Sequence, residues 1–355
     1  MIKELFKQLM KDKFARIALV ILGIIYLMLL FADITAPYTK DFSDRNMAYV
    51  PPSKIFTITE DGKFSRPYTY NYKRDFDNEK LRIVYSLDRT QKHYLTFFAK
   101  GEPYKFLGII PMQRHIVTTD PDGRLFLLGT DINGRDVFSR ILFGGRISMT
   151  IGFLALFVLF PIGLLYGGIA GYFGGRTDSL MMRFAEAVMS VPSFYLLIIL
   201  ASVLPAGMTS IQRFILIVVI LALIGWAGFA RVVRGMVLSV KNQEFVQAAK
   251  SIGASHLRII IKHILPQTTS FVIVAMTLSV PSYILSESGL SFLGLGIQQP
   301  DASWGNMLKE AQEYTNIIYR PWLLTPGFLI FIAVLSFNLI GDAVRDILDP
   351  QSKVR

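Results

Sequence analysis

Along this 355-residue chain, long apolar stretches alternate with polar ones on the scale of a membrane rather than of a helix face. A helix needs about 20 mostly apolar residues to cross the hydrocarbon core. Six stretches meet that length, at about 16–35, 147–172, 184–206, 213–238, 269–293 and 323–344. The pattern predicts an all-α polytopic membrane protein with six transmembrane helices. Pro192 lies in the third stretch and Pro281 in the fifth; both are tolerable where neighbouring helices satisfy the freed carbonyls. The apolar run from Ile17 to Phe31 leads into "ADITAPYTK" with no small-residue cleavage site, so the first stretch reads as an uncleaved span rather than a signal peptide.

Orientation follows from Lys and Arg in the short connecting loops. With the N-terminus inside, the inner segments hold Lys3, Lys7, Lys11, Lys13, Arg16, Arg176, Arg183, Arg231, Arg234, Lys241, Lys250, Arg258, Lys262, Arg345, Lys353 and Arg355. The short outer loops offer little beyond Arg213, Lys309 and Arg320. Both termini are therefore expected inside. Trp304, Tyr314, Tyr319 and Trp322 then fall in the last outer loop, where aromatic residues favour the interface.

Between the first two spans lies a long polar segment, expected outside. In "KIFTITEDGKFSRPYTY" β-branched and aromatic residues flank Asp61-Gly62, a hairpin signal, and "TTDPDGRLFLLGTD" carries a second Asp-Gly turn at 122–123. A small β-rich insert is predicted over 36–127. His93 and His115 lack ligand-type neighbours and read as surface side chains, not metal ligands. After the insert, Asp131 with Arg135 and Asp136 with Arg140 form i,i+4 pairs beside an apolar face of Val137, Phe138, Ile141 and Leu142. This predicts a helix over 128–146 lying in the outer interface. The organisation becomes 1–35, inner segment and first span; 36–127, insert; 128–146, interfacial helix; 147–346, five-helix core with an inner loop at 241–266; and 347–355, tail.

Composition agrees: 52% of residues are hydrophobic and 18% charged, against about 25% charged in soluble domains. The net charge of +11 fits inner flanks; no basic-aromatic recognition motif accompanies it, so nucleic acid is not an expected partner. Cys is absent, which removes disulfides and thiolate metal sites.

The inner loop "EFVQAAKSIGASHLRIIIKHILP" (244–266) is unusual for a connector. Residues 243–252 suit a short helix in which Ala248 and Ala249 permit close approach, and Gly253 permits a sharp bend. A second helix from about Ser255 to Ile264 would place Leu257, Ile260, Ile261 and Ile264 on one face against the spans; Pro266 then starts the next span. Two short helices in an L, one buried and one presented, favour a docking element over a solvated connector. Gly163, Gly167, Gly171 and Gly175 recur every fourth residue, a small-residue ridge that lets helices pack closely. Within "PSYILSESGLSFLG", Glu287 is a carboxylate at membrane depth and must face protein or water. With Tyr283 and Ser286 it is a candidate for a substrate path or for a structural hydrogen bond. Glu186 begins the third span, and Asp342, Arg345, Asp346 and Asp349 read as helix-end ion pairs before Pro350.

"QAAKSIG…HILP" resembles the EAA loop of ATP-binding-cassette importer permeases, in which Glu-Ala-Ala, a Gly and a later Leu-Pro form a coupling helix that docks on the ATPase subunit. The resemblance implies ATPase-coupling roles for Glu244, Gln247, Ala248, Ala249, Gly253, Leu265 and Pro266. Gln247 stands where the family has Glu, keeping hydrogen-bonding capacity without charge, and His263 stands where the pattern has Ile. "LGTDINGRDVFSRILFGGRIS" (128–148), "LSFLGLGIQQPDASWGNML" (290–308) and "PWLLTPG…LSFNLIGDAVRDILDP" (321–350) resemble the second permease of oligopeptide and dipeptide importers, within the branch that also carries nickel. The likeness implies the type I importer fold, a homologous second permease as heterodimer partner, two ATPase subunits that bind ATP and Mg, an extracytoplasmic solute-binding protein and a peptide substrate, with nickel chelates or other small solutes as the alternative cargo. Residues 40–127 are longer than that family leads one to expect.

No G-x-x-x-x-G-K-[ST] phosphate loop, HExxH or GxSxG occurs, so the chain is expected to carry no catalytic, cofactor or metal site of its own. An ion-coupled secondary transporter would want inverted repeats and midplane carboxylates, and neither is evident.

Overall fold

A computed structural model describes residues 2–79, 82–205 and 207–348; Asp349, Pro350 and the tail to Arg355 lie outside the described residues. Ten helices organise the description: α1 (Ile2–Leu9), α2 (Lys13–Leu30), α3 (Val137–Phe173), α4 (Gly175–Met189), α5 (Ser193–Ser202), α6 (Ser210–Val240), α7 (Glu244–Ser251), α8 (His256–Ile259), α9 (Thr269–Phe292) and α10 (Thr325–Leu348). Among the described residues, five helical stretches are long and apolar enough to cross a membrane, and α4 with α5 makes a sixth if that bent pair is one span. The chain divides into two compact units, one from residues 1–22, 149–290 and 331–355 and the other from 23–148 and 291–330.

In the first unit, the third span is not the straight helix over 184–206 expected from hydropathy. α4 and α5 meet at 75°, and the break falls where Pro192 forces Val191 out of the α region. α4 is mixed on its exposed face, with Arg176, Arg183 and Glu186 exposed beside Leu180 and Phe184. The glycine ridge of α3 lies on α6. A Cβ on Gly163 would stand 2.5 Å from the Phe229 ring, one on Gly171 would stand 2.8 Å from the Arg234 carbonyl oxygen, and one on Gly167 would collide with the carbonyl of Ala230. Gly175 departs from the expected ridge. α3 ends at Phe173, and Gly175 has φ +57° with no atom near a hypothetical Cβ. Aromatic pairs Phe160–Phe229 (4.2 Å between centroids) and Tyr166–Trp226 (4.5 Å) fill the space beside the glycines.

In the second unit, β1 (Phe56–Ile58), β2 (Phe64–Asp77) and β3 (Arg82–Tyr94) form an antiparallel sheet in sequence order. The Asp61-Gly62 turn joins β1 to β2, with Gly62 at φ +76° and the Thr59 N–H donating to the Lys63 carbonyl. β4 (Lys100–Phe106) pairs with β5 (Ile110–Arg114), and the two-residue strands at 96–97 and 117–118 pair with each other. The histidines of this insert are not surface residues. His93 is 3% and His115 1% exposed. His93 Nδ1 lies 2.6 Å from an Asp120 carboxylate oxygen, while His115 faces the Ala36 and Glu102 carbonyls at 2.6 and 3.0 Å. No group of three or more potential metal ligands occurs among the described residues.

The helix expected over 128–146 is also different. Asp136 accepts the Ser139 N–H at 2.7 Å, so it caps α3, which begins at Val137 and continues without a break to Phe173. Residues 128–136 form a loop instead, with Asp131 accepting the N–H groups of Asn133 and Arg135. Asp131 pairs with Arg135 (2.7 Å) as expected from spacing, but Arg140 also turns to Asp131 (3.4 Å) rather than to Asp136. Gln299 accepts from both arginines, and Glu310 approaches Arg135 at 3.8 Å. Burial pushes the Glu310 carboxyl up to about 7, and burial likewise lifts Asp136 to about 7. Trp304, expected at the interface, is 1% exposed and donates its indole N–H to the Ile141 carbonyl at 3.0 Å. Trp322 donates to the Thr130 carbonyl at 3.1 Å. Only Tyr314 and Tyr319 of that aromatic set are well exposed.

Candidate functional site

α7 and α8 are two short helices separated at Gly253, and the break between them has an identifiable mechanism. The Gly253 N–H donates to the Lys250 carbonyl (3.0 Å) and the Ala254 N–H to the Ala249 carbonyl (3.1 Å). With Gly253 at φ +78°, these are the paired bonds of a Schellman C-cap, which needs a left-handed residue at this position. No atom lies within 4 Å of a Cβ built there, so the backbone angle alone demands glycine.

α7 presents two faces. Val246 and Ala249 are buried, in one apolar cluster with Tyr172 of α3, Val233 and Val237 of α6, and Ile259, Ile260 and Ile264. Glu244, Phe245, Gln247, Ala248 and Ser251 are exposed, and Ile252 is 84% exposed. Of the two alanines expected to permit close approach, Ala249 does so within this chain, and Ala248 is left open.

The second arm differs from the expected apolar face. Ile260 and Ile264 are buried, but Leu257 and Ile261 are half exposed, and Ile259 takes their place inside. The reason is a wide turn over Ile260–Ile264. The Leu265 N–H donates to the Ile260 carbonyl, an i→i+5 bond that slips the helix by one residue relative to the 3.6-residue repeat. Leu265 and Pro266 follow in a tight turn before α9.

Polar contacts anchor this loop to the spans, and composition alone does not reveal them. The Tyr172 hydroxyl lies 2.9 Å from His256 Nδ1, and the Lys250 ammonium stands 5.4 Å from the centre of the Tyr172 ring. Lys241 donates to the Gly171 carbonyl at 3.0 Å. Arg234 grips the Asp178 carboxylate with its Nε at 2.9 and 3.1 Å. The C-terminal ends of α3 and α6, the first turn of α4 and the loop thus form one packed block.

Glu287, Tyr283 and Ser286 occupy α9 outside that block. Glu287 is fully buried by its own chain, and the Ser288 hydroxyl is 3.5 Å away. Tyr283 packs against Gly152 and Gly225, whereas Ser286 spends its hydroxyl on the Ser282 carbonyl at 2.7 Å. Tyr283 and Glu287 therefore face inward together, and Ser286 does not join them.

A family model described as "Binding-protein-dependent transport system inner membrane component" matches residues 163–354. A second, the "N-terminal TM domain of oligopeptide transport permease C", matches residues 1–52. Among curated relatives, the dipeptide transport system permease protein of Bacillus subtilis is 46% identical over 225 residues, 63% of this chain and 68% of the relative. The oligopeptide transport system permease protein of Haemophilus influenzae is 44% identical over 226 residues, 63% of this chain and 70% of the relative. The nickel transport system permease protein of Escherichia coli K12 is 39% identical over 232 residues, 65% and 80% of the two chains. Neither family model reaches residues 53–162.

Proposed function

The chain belongs to the family of binding-protein-dependent transport system inner membrane components, and from that premise we propose that it is the second permease of an ATP-driven peptide importer in a prokaryotic cytoplasmic membrane. The observation that carries the reading is α7. One face is built into the chain through Val246 and Ala249, while Glu244, Phe245, Gln247, Ala248 and Ile252 are left outward beside a glycine-capped bend. That surface suits the cleft of an ATPase subunit. The N-terminal match to an oligopeptide permease domain supports peptide as the cargo, with nickel chelates the outcome that would redirect it.

In this reading a binding protein delivers peptide to the outer face, where the β-rich insert lies, and a homologous permease forms the other wall of the path. ATP binding closes two ATPase subunits on separate polypeptides. α7 moves with them, and the packed block formed with α3, α4 and α6 passes the displacement to the spans. Direction comes from the different affinities of the inward-open and outward-open forms for nucleotide and for loaded binding protein.

Affinity purification of the tagged chain in mild detergent tests the assembly. The expected result is a second six-span permease and phosphate-loop ATPases; a chain that comes alone removes the partner that α7 requires. Gly253→Pro cannot adopt φ +78° and lacks the N–H that caps the helix, so it is expected to leave ATP hydrolysis running without import. Normal peptide uptake by that variant would refute the docking-helix role. Uptake of labelled dipeptides and longer peptides against nickel chelates by the reconstituted assembly then assigns the cargo.

A further inference from the structure

α1 is too short to span a membrane, yet its residues are sorted by face. Leu5, Phe6, Leu9 and Met10 share one side of the helix, and Lys3, Lys7 and Lys11 follow one another at four-residue spacing on the other. The turn continues past Leu9, since the Met10 N–H bonds the Phe6 carbonyl at 3.0 Å. Asp12 then accepts the Ala15 N–H at 2.7 Å and starts α2 as a separate helix.

The apolar side is itself divided. Leu9 is buried, but Phe6 is 57% and Met10 37% exposed, so the edge next to the lysine row has no cover among the described residues. Lys3, Lys7, Lys11, Lys13 and Arg16 are all exposed and outnumber Glu4 and Asp12. An exposed apolar edge flanked by long cationic side chains, immediately before a span, matches a helix lying in the headgroup region. The rings and thioether enter the acyl boundary, and the ammonium groups reach up to phosphates.

We propose that α1 is a membrane-surface anchor that selects anionic phospholipid. Three features favour lipid over an acidic protein surface: the charge complementarity, the apolar edge shared with the lysine row, and continuity with α2, itself 28% buried within the chain over its span window. The anchor is independent of which solute is carried and of whether α7 docks on an ATPase.

Since the chain has no Cys, a nitroxide attached to the purified Met10→Cys chain before it is combined with its partner subunits reports from one place. The purified assembly is placed in nanodiscs of phosphatidylcholine with or without phosphatidylglycerol. Collisions of the label with oxygen and with a water-soluble nickel chelate are then compared. With phosphatidylglycerol the label is expected to favour oxygen. High salt should lift it, and adding Lys3→Gln, Lys7→Gln and Lys11→Gln should weaken the preference, at about fivefold in partition per lysine. A label that meets the chelate equally in both discs would overturn the proposal. So would one hidden from both reagents regardless of lipid, since that places α1 against a protein subunit. Depth unchanged by salt and by the three glutamines would leave the apolar edge alone as the cause and overturn the selection for anionic lipid.

Discussion

In the unit that carries the 244–266 loop, α3 and α6 approach until backbone meets backbone, with Gly163, Gly167 and Gly171 leaving room for the carbonyls and side chains of α6. In the unit that carries the insert, the joins are polar. The Leu125 N–H donates to the Tyr38 hydroxyl, Thr130 bridges Val50 and Met47, and Asp131 holds two arginines. Close packing of small residues works wherever helices cross and tolerates drift along the ridge. A network of single hydrogen bonds between irregular segments tolerates little, since each lost partner leaves another group buried and unsatisfied.

The comparison can be broken most severely at Asp131. Its side chain is 5% exposed and those of Arg135 and Arg140 are 8% and 5% exposed, so Asp131→Ala is expected to cost about 3–5 kcal/mol, read as early melting of the insert unit in detergent. Gly167→Val attacks the other unit, where overpacking should cost about 3 kcal/mol. Gly235→Ala, which meets no atom within 4 Å, serves as its control and should melt normally.

A pH series sharpens the contrast. Glu310 and Asp136 have carboxyls raised by burial to about 7. The folded state therefore holds protons that the unfolded chain releases near pH 4. Their contribution is complete below that range and is lost as pH climbs through about 7. Melting of the insert unit should decline between pH 5 and 8 by the equivalent of a few kcal/mol at most, at about 1.4 kcal/mol per shifted unit before solvent relaxation. Asp136→Asn should flatten the profile, and the other unit should change less. The smallest effect is expected from Tyr172→Phe, which removes only the bond to His256. Stability should fall by about 1 kcal/mol, while peptide moved per ATP should fall by a larger factor than ATP hydrolysis itself. Proportional losses would mark Tyr172 as packing alone.

What could be read from the residues was mostly local. Five of the six apolar stretches became helices near their expected places, and the bend at Gly253 follows from a requirement a single residue can carry. The kink before Pro192 had its signal in the proline, but hydropathy averaged across it. Asp136 was read as an i,i+4 partner because spacing alone does not separate a helix cap from a helix interior. The buried histidines and Trp304 were misplaced for another reason: their cover comes from segments distant in sequence. The contact of Tyr172 with His256 joins residues 84 apart, and no local pattern announces such a pair.

The wide turn at Ile260–Ile264 bears on how this loop can vary in length. A helix with one i→i+5 bond is an ordinary helix carrying a surplus residue. Removing one residue from 260–264 should restore regular winding, whereas a deletion within α7 would turn Val246 and Ala249 away from their cluster. Natural insertions and deletions among relatives should therefore gather in the second arm and spare the first.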